Sequence, residues 1–247
     1  MVQLVKQSVR HDISRQCHDS SPGLRPQLTC GLHAFIPHGG RTVKETQVTA
    51  RRTQAQRRAA TRQALIDSAR ALFAERGFAG VGREEIVARA GVTRGAMYHY
   101  FPSKEELFRS VYEEVEQALL QTVAEAASAD TDPVSQLRIG TEAFLRSAAT
   151  EEIRRISLID APAVLSTETR RHLNEQYGLG LVREALTAVQ AAGRLRVGPP
   201  TILAPLLLAA MHEAATQIAE GAPAAEVIAT VDDLIGHITG PPARLHR

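Results

Sequence analysis

The sequence IVARAGVTRGAMYHYFPSK, residues 86–104, decides the fold that we predict for this chain of 247 residues. Its first part ends a short amphipathic helix, Gly91 makes a turn, and Thr93 is a good N-cap for a second helix. That second helix ends early, because Pro102 disfavours helical backbone at the residue before it. Three apolar side chains can lock the two helices together: Ile86, Val92 and Met97. The stretch therefore predicts a helix-turn-helix over about residues 81–100.

Helix signals continue on both sides of this stretch. Upstream, Thr53 and Gln56 have the spacing of a capping box, and Gly77 suits a helix end that needs left-handed backbone. Downstream, Ser103 opens a long helix that ends near residue 127. Caps and breaks then predict five more helices, over residues 132–149, 151–159, a segment ending at Gly193, 201–220 and 224–238. We expect Pro162 and residues 166–169 to interrupt and restart the chain, and Pro205 to fall in a first turn, where no amide hydrogen bond is lost.

Composition agrees with an all-helical protein and divides the chain by charge. The chain has no Trp and 4% aromatic residues, and it is rich in residues that favour helix. Residues 51–104 carry 11 basic and 4 acidic groups, whereas residues 105–247 carry 12 and 20. A basic segment beside an acidic one suggests that the first part meets a polyanion, although a solvated basic helix face would look the same. Residues 1–52 show no periodicity, and we expect this extension to be disordered.

The chain resembles the tetracycline-repressor (TetR) family over roughly residues 55–115, and the run AGVTRGAMYHYFPSKEELF carries the resemblance. The resemblance implies an all-α protein of about nine helices. An N-terminal three-helix DNA-binding domain, residues 53–105, would precede a helical ligand-binding and dimerisation domain, residues 106–240. It also implies a sequence-specific transcriptional regulator, most often a repressor that a small-molecule ligand releases from a palindromic operator in double-stranded DNA.

Nine residues are candidates for DNA contact: Arg83, Thr93, Arg94, Gly95, Ala96, Tyr98, His99, Tyr100 and Lys104. Arg94 can bond guanine O6 and N7 in a bidentate manner, and small residues beside it let the helix approach the bases. Lys104 and Arg83 are placed for phosphates. Tyr98 and Tyr100 could instead pack against the first helix. Gly82 departs from the family pattern, because Ser or Thr usually caps the second helix there. Four arginines before or at the start of the first helix could form a minor-groove arm or a solvated lead-in: Arg51, Arg52, Arg57 and Arg58.

The C-terminal part offers weaker signals. Candidate ligand-binding residues are Asp160, His172, Tyr177 and His212, each of which could equally be a surface or satisfied interior residue. The family implies a homodimer through the last two helices, whose apolar stripes could also face the protein's own core. One stripe contains Leu203, Leu207, Ala210, Ala214 and Ile218, and the other contains Val227, Ile228, Val231, Leu234, Ile235 and Ile238.

Other classes of protein find less support in the sequence. Cys17, Cys30, His18 and His33 match no standard zinc spacing, so we expect neither a metal nor another cofactor. The sequence has no phosphate loop, HExxH pair or nucleophile elbow, which argues against an enzyme. The apolar run 202–211 is too short to span a membrane, and we expect a cytoplasmic protein without a membrane partner. A constitutive DNA-organising protein without an effector stays open as an alternative, and a helical enzyme is more remote.

Overall fold

The computed structural model describes residues 53–240, which form nine continuous helices. In chain order these are α1 (Gln54–Arg76), α2 (Arg83–Ala90), α3 (Arg94–Tyr100), α4 (Lys104–Ala127), α5 (Pro133–Ser147), α6 (Ile153–Asp160 continued by Ala161–Val164), α7 (Thr167–Asn174 continued by Glu175–Leu179 and Gly180–Ala191), α8 (Pro200–Ala219) and α9 (Ala224–Ile238). Within this range the only extended pairing is an isolated bridge between Leu195 and Thr239. The all-α prediction is confirmed, whereas the predictions for residues 1–52 lie outside the described residues.

Local capping explains why α1, α3 and α4 begin, and α2 ends, where the sequence predicts. Thr53 and Gln56 form both bonds of the capping box that opens α1. The Thr93 hydroxyl accepts from the Ala96 amide at 3.2 Å, and the Ser103 hydroxyl opens α4 in the same way. Gly91 ends α2 in left-handed backbone, with φ 65° and ψ 30°. These bonds satisfy amides and carbonyls that a helix end leaves free, so the bounds follow from nearby residues alone.

Two predictions about prolines are wrong. Pro162 does not interrupt the chain, because a π-helical stretch over Ile153–Asp160 continues into Ala161–Val164 and the break comes at Leu165 and Ser166. A π-helical turn leaves the usual i to i−4 pattern, which accommodates a residue without an amide proton. Pro205 lies inside α8 beyond its first turn, so α8 lacks one backbone hydrogen bond there.

Two hydrophobic clusters lie along α4. The first joins α1, α2 and α3 to the first half of α4, and it also takes Ile156 of α6 and Leu173 of α7. The second surrounds Leu119 and Val123 of α4 with α5, α7, α8 and α9. Because α4 contributes to both clusters, a movement of this helix would change the packing in each of them. A boundary at residue 105 stays a prediction, since the first cluster extends beyond it.

The predicted stripes of the last two helices face the chain's own core for the most part. Leu207, Val231 and Ile235 are buried, and Leu234 alone among the predicted residues is largely exposed. The exposed apolar side chains of α8 are on the opposite face, where Ile202 and Leu206 are 62% and 63% exposed. Periodicity identifies an apolar face of a helix. It does not distinguish a face that packs in the core of its own chain from one that packs against a second chain.

Helix α8, Pro200–Ala219, is long and apolar enough by length and composition to cross a membrane, and it is the one such helix among the described residues. It extends beyond the apolar run 202–211, which by itself is too short to span a membrane. One helix of this kind is weak evidence for a membrane span, because a core helix of a soluble protein passes the same test. Eight side chains of α8 are buried against its neighbours.

Candidate nucleic-acid interface and cavities

The first half of α3 presents an open surface. Thr93, Arg94 and Gly95 are exposed, while Met97 holds the helix to the core from the opposite side. A Cβ atom built on Gly95 would meet no atom within 4 Å. The outer face of this helix can therefore approach another surface closely, and Ala96 beside it adds little bulk.

Arg83, Arg94 and Tyr98 form one cluster at the edge of this surface. Each guanidinium carbon lies 5.7 Å from the centre of the Tyr98 ring, and Arg83 Nη1 donates to the Tyr98 hydroxyl at 3.3 Å. Hydrogen bonds from Arg94 and then Arg83 lower the pKa of Tyr98. Arg94 also pairs with Glu84 at 3.1 Å, with both side chains about two-thirds exposed. An exposed pair of this kind contributes little, so Arg94 can exchange it for another acceptor.

The remaining residues of α3 differ in exposure. His99 is exposed, and its ring lies edge-on to Tyr100 at 5.1 Å. Tyr100 is half-buried and packs against the first hydrophobic cluster, whereas Tyr98 is 40% exposed. Tyr98 is thus the more accessible of the two tyrosines, and Tyr100 is partly covered by its packing against the cluster.

Lys104 and Asp160 hold the loop between α1 and α2 from two sides. The Lys104 ammonium donates to the Phe78 carbonyl at 2.5 Å and lies 4.1 Å from the centre of its ring. The Phe78 amide donates to Asp160 Oδ2 at 2.6 Å. Burial lowers the pKa of Lys104. Both groups thus have a structural contact that the sequence analysis did not foresee.

Two adjoining cavities lie among α4, α5, α6, α7 and α8. They have volumes of about 50 and 120 Å³ and share four lining residues: Glu116, Phe144, Asn174 and His212. The first is lined mainly by apolar side chains and includes Tyr177, and the second includes Ser157 and Arg170. Both are smaller than the usual ligand pocket of 300–1,000 Å³, so a ligand has to displace some of the side chains between them.

The predicted ligand residues separate into two groups. Tyr177 and His212 line the first cavity, and burial lowers the pKa of His212. Asp160 lines neither of the two cavities, and it bonds the α1–α2 loop instead. His172 lies beside Arg109 and Glu175 in a separate surface depression.

Sequence reasoning missed Glu116, which lies where the two cavities meet. Burial raises its pKa to about 7. A signal was present, because Tyr112, Glu116 and Leu119 follow one another at helical spacing within the apolar stripe of α4. Among the described residues, no group of three or more His, Cys, Asp or Glu side chains could hold a metal ion.

Two family models match this chain. The description "Bacterial regulatory proteins, tetR family" applies to residues 65–111, and "Tetracyclin repressor-like, C-terminal domain" applies to residues 134–239. The first match covers the helix-turn-helix and the start of α4, and the second covers α5 to α9. The chain is thus an all-helical protein with a helix-turn-helix unit and a larger helical unit of the kind that accompanies it in these proteins.

Known proteins place the chain within one family. A TetR-family transcriptional regulator from Pectobacterium atrosepticum superposes with a TM-score of 0.65 and 30% identity, over 77% of this chain and all of that one. The transcriptional regulator AcrR of Shigella flexneri is 39% identical over 97 residues, which are 39% of this chain and 45% of AcrR. A structure of RolR with the ligand resorcinol has a TM-score of 0.55 and 25% identity, over 74% and 91% of the two chains.

The chain belongs to the TetR family. The match to AcrR spans less than half of that regulator's length, and the match to the regulator LmrA of Bacillus subtilis spans 61% of it.

Proposed function

We propose that the chain is a sequence-specific DNA-binding transcriptional regulator that reads an operator with α3. The cluster of half-buried Arg83 with exposed Arg94 and Tyr98, beside the open face at Gly95, carries this proposal. A helix with small residues enters the major groove closely, and its arginine then reaches the base edges. The named relatives are transcriptional regulators, which supports this role. The proposal therefore includes no catalytic activity.

Each side chain has a separate task in the proposed complex. Arg94 leaves Glu84 and bonds guanine in a bidentate manner, while Ala96 contacts a thymine methyl group. Tyr98, His99 and Arg83 contact phosphates, as does the Thr93 hydroxyl at the start of α3. Tyr100 contributes less, because its ring packs on the hydrophobic cluster.

Replacing Arg94 with Ala tests the base-reading role. Operator sequences are first selected from random DNA, and affinity is then measured by mobility shift on the operator and on unrelated DNA. We expect Arg94→Ala to cost about 1–3 kcal/mol on the operator and to relax preference at one base pair. Arg89→Ala is the matched control, since Arg89 is also exposed and paired with an acidic residue, Glu75 at 3.3 Å. Equal losses on both DNAs would refute the assigned role.

Lys104 provides a second test, because its ammonium bonds Phe78 in the structure. For the DNA complex we propose that it exchanges this carbonyl for a phosphate. Lys104→Met keeps the aliphatic stem, and it should weaken operator and random DNA by the same factor while reducing the salt slope by about one. A lower melting temperature with an unchanged salt slope would assign Lys104 a purely structural role in holding the loop.

A small-molecule effector and a homodimer complete the proposed function. The cavities at Glu116 and His212 are the proposed effector site, and the RolR structure with resorcinol is a related protein holding a small organic ligand. The exposed face of α8 with Leu234 of α9 is the proposed dimer surface. Two recognition helices about one DNA turn apart would then read a palindrome, and effector binding would lower operator affinity, as in a repressor. We place the regulator in the cytoplasm.

Helix α6 is the proposed connection between effector site and operator. Its residues Ile153 and Ser157 line the second cavity. Beside them, Glu152 accepts two hydrogen bonds from Arg70 of α1, at 2.7 and 2.8 Å, and Asp160 holds the Phe78 amide. An effector that shifts α6 would thus change the contacts of α1 and of the loop before the helix-turn-helix.

A further inference from the structure

Glu116 is the one acidic side chain in the lining of these two cavities, and it forms no ion pair among residues 53–240. It borders both cavities, so a ligand that spans them would pass beside its carboxyl group. The Ser157 hydroxyl lies near its carboxyl group without a well-aligned hydrogen bond. A carboxylate that is removed from water needs a charge partner or hydrogen-bond donors. This site supplies no charge partner and few hydrogen-bond donors.

The groups that face Glu116 come from every helix around it. Phe144 of α5, Asn174 of α7 and His212 of α8 share its position between the cavities. His212 adds no strong cation, because burial lowers its pKa. Tyr112 on α4 stays a neutral phenol, since burial raises its pKa. Arg170 lines the second cavity but forms no ion pair with Glu116.

Aromatic rings complete the wall on the side of the first cavity. The Phe144 and His212 rings lie 5.7 Å apart and both border the cavity, as does the Tyr177 ring. Aromatic faces attract organic cations, most strongly where water is excluded. A single acidic group among aromatic and aliphatic side chains is complementary to a ligand that combines one positive charge with apolar bulk.

We propose that these cavities take a lipophilic organic cation, with its charged nitrogen against the Glu116 carboxylate and its apolar part against the rings. This inference rests on the proposed effector site and specifies the chemical class of its ligand. The cation restores a charge partner that the folded chain does not provide, and a neutral molecule of the same shape gains only the apolar contacts. In the first cavity, which Arg170 does not line, an anionic ligand would have to place its charge beside Glu116 and is disfavoured.

Three probes of one size test the charge preference directly. Benzyltrimethylammonium is the cation, its carbon isostere 2,2-dimethylpropylbenzene is neutral, and phenylacetate is the anion. Binding to the full chain without DNA is measured by calorimetry at pH 8 and by the shift in melting temperature. We expect the cation to bind at least tenfold more tightly than the neutral isostere, and phenylacetate not to bind. Absence of cation binding, or tighter binding of phenylacetate through Arg170, would overturn the proposal.

Two variants assign the preference to Glu116. Glu116→Gln should weaken cation binding at least tenfold and leave the neutral isostere unchanged, which also shows that the cavity is intact. Glu125→Gln, at an exposed position on the same helix, should change neither. Unchanged cation affinity in Glu116→Gln would contradict the assignment. Because no DNA is present, failure here is distinct from failure of operator recognition, which the Arg94 variant tests separately.

Discussion

Substituting Ile202 and Leu206 with Glu on the exposed face of α8 should convert the proposed dimer into a monomer. These two side chains are about 60% exposed and lie one turn apart, whereas most other large apolar side chains of residues 53–240 are buried. Each would contribute about 1.5–3 kcal/mol when covered, and a two-fold axis doubles their number. The charged replacements also face their own symmetry copies. Light scattering after gel filtration would give the mass in solution.

The affinity for the operator should fall when the dimer is lost. A monomer places one recognition helix on one half-site, so we expect affinity for the palindrome to drop at least 100-fold, with a much smaller loss on random DNA. Ile159→Glu is the matched control, because Ile159 is an exposed apolar residue that belongs to α6 and not to α8. A double variant that stays dimeric, or a monomer with full operator affinity, would show that α8 is not the joining surface.

The helix-turn-helix could be predicted closely because its signals are local. Gly91 and Thr93 set the helix ends through their own backbone or hydroxyl groups, and α2 and α3 fall within the predicted helix-turn-helix of about residues 81–100. The presence of nine helices follows in the same way from caps and periodicity. Local signals suffice wherever the deciding interaction lies within about four residues of the position it decides.

Side-chain roles that depend on distant partners were harder to predict. Lys104 was assigned to phosphate from its place at a helix start, yet in the structure its ammonium bonds Phe78, which is 26 residues away in sequence. Asp160 likewise bonds the Phe78 amide rather than lining a cavity. A flexible lysine or a carboxylate takes whichever partner the tertiary fold brings near, and a single sequence does not contain that distance.

The position of Glu116 between the cavities was hard to predict for the same reason, because it too depends on distant parts of the chain. Its position within an apolar stripe was visible, but an acidic residue at that spacing can also extend to solvent at the edge of a helix. In the folded chain α5, α7 and α8 pack against α4, and this packing places the carboxyl group between two cavities and not in solvent.

Replacing Glu116 with Gln should make the protein more stable at pH 8 but not at pH 4. The folded pKa is about 7, above the ordinary value of 4.5, so the folded chain holds a proton that the unfolded chain has released. Stability from this group is therefore complete below pH 4.5 and is lost as the pH rises through 7. From the shift we expect a gain of about 3 kcal/mol for Glu116→Gln at pH 8. Denaturant unfolding across this range measures it.

The comparison between variants isolates Glu116 from other titrating groups. His212 also has a shifted pKa, but it is present in both proteins and cancels in their difference. Glu125→Gln should show no such pH-dependent gain, because that residue is exposed. Adding benzyltrimethylammonium at pH 8 should stabilise the native protein and leave Glu116→Gln nearly unchanged, since a bound cation removes the same unfavourable charge that Gln removes. A gain for Glu116→Gln that is equal at pH 4 and pH 8 would show that the carboxyl group stays solvated.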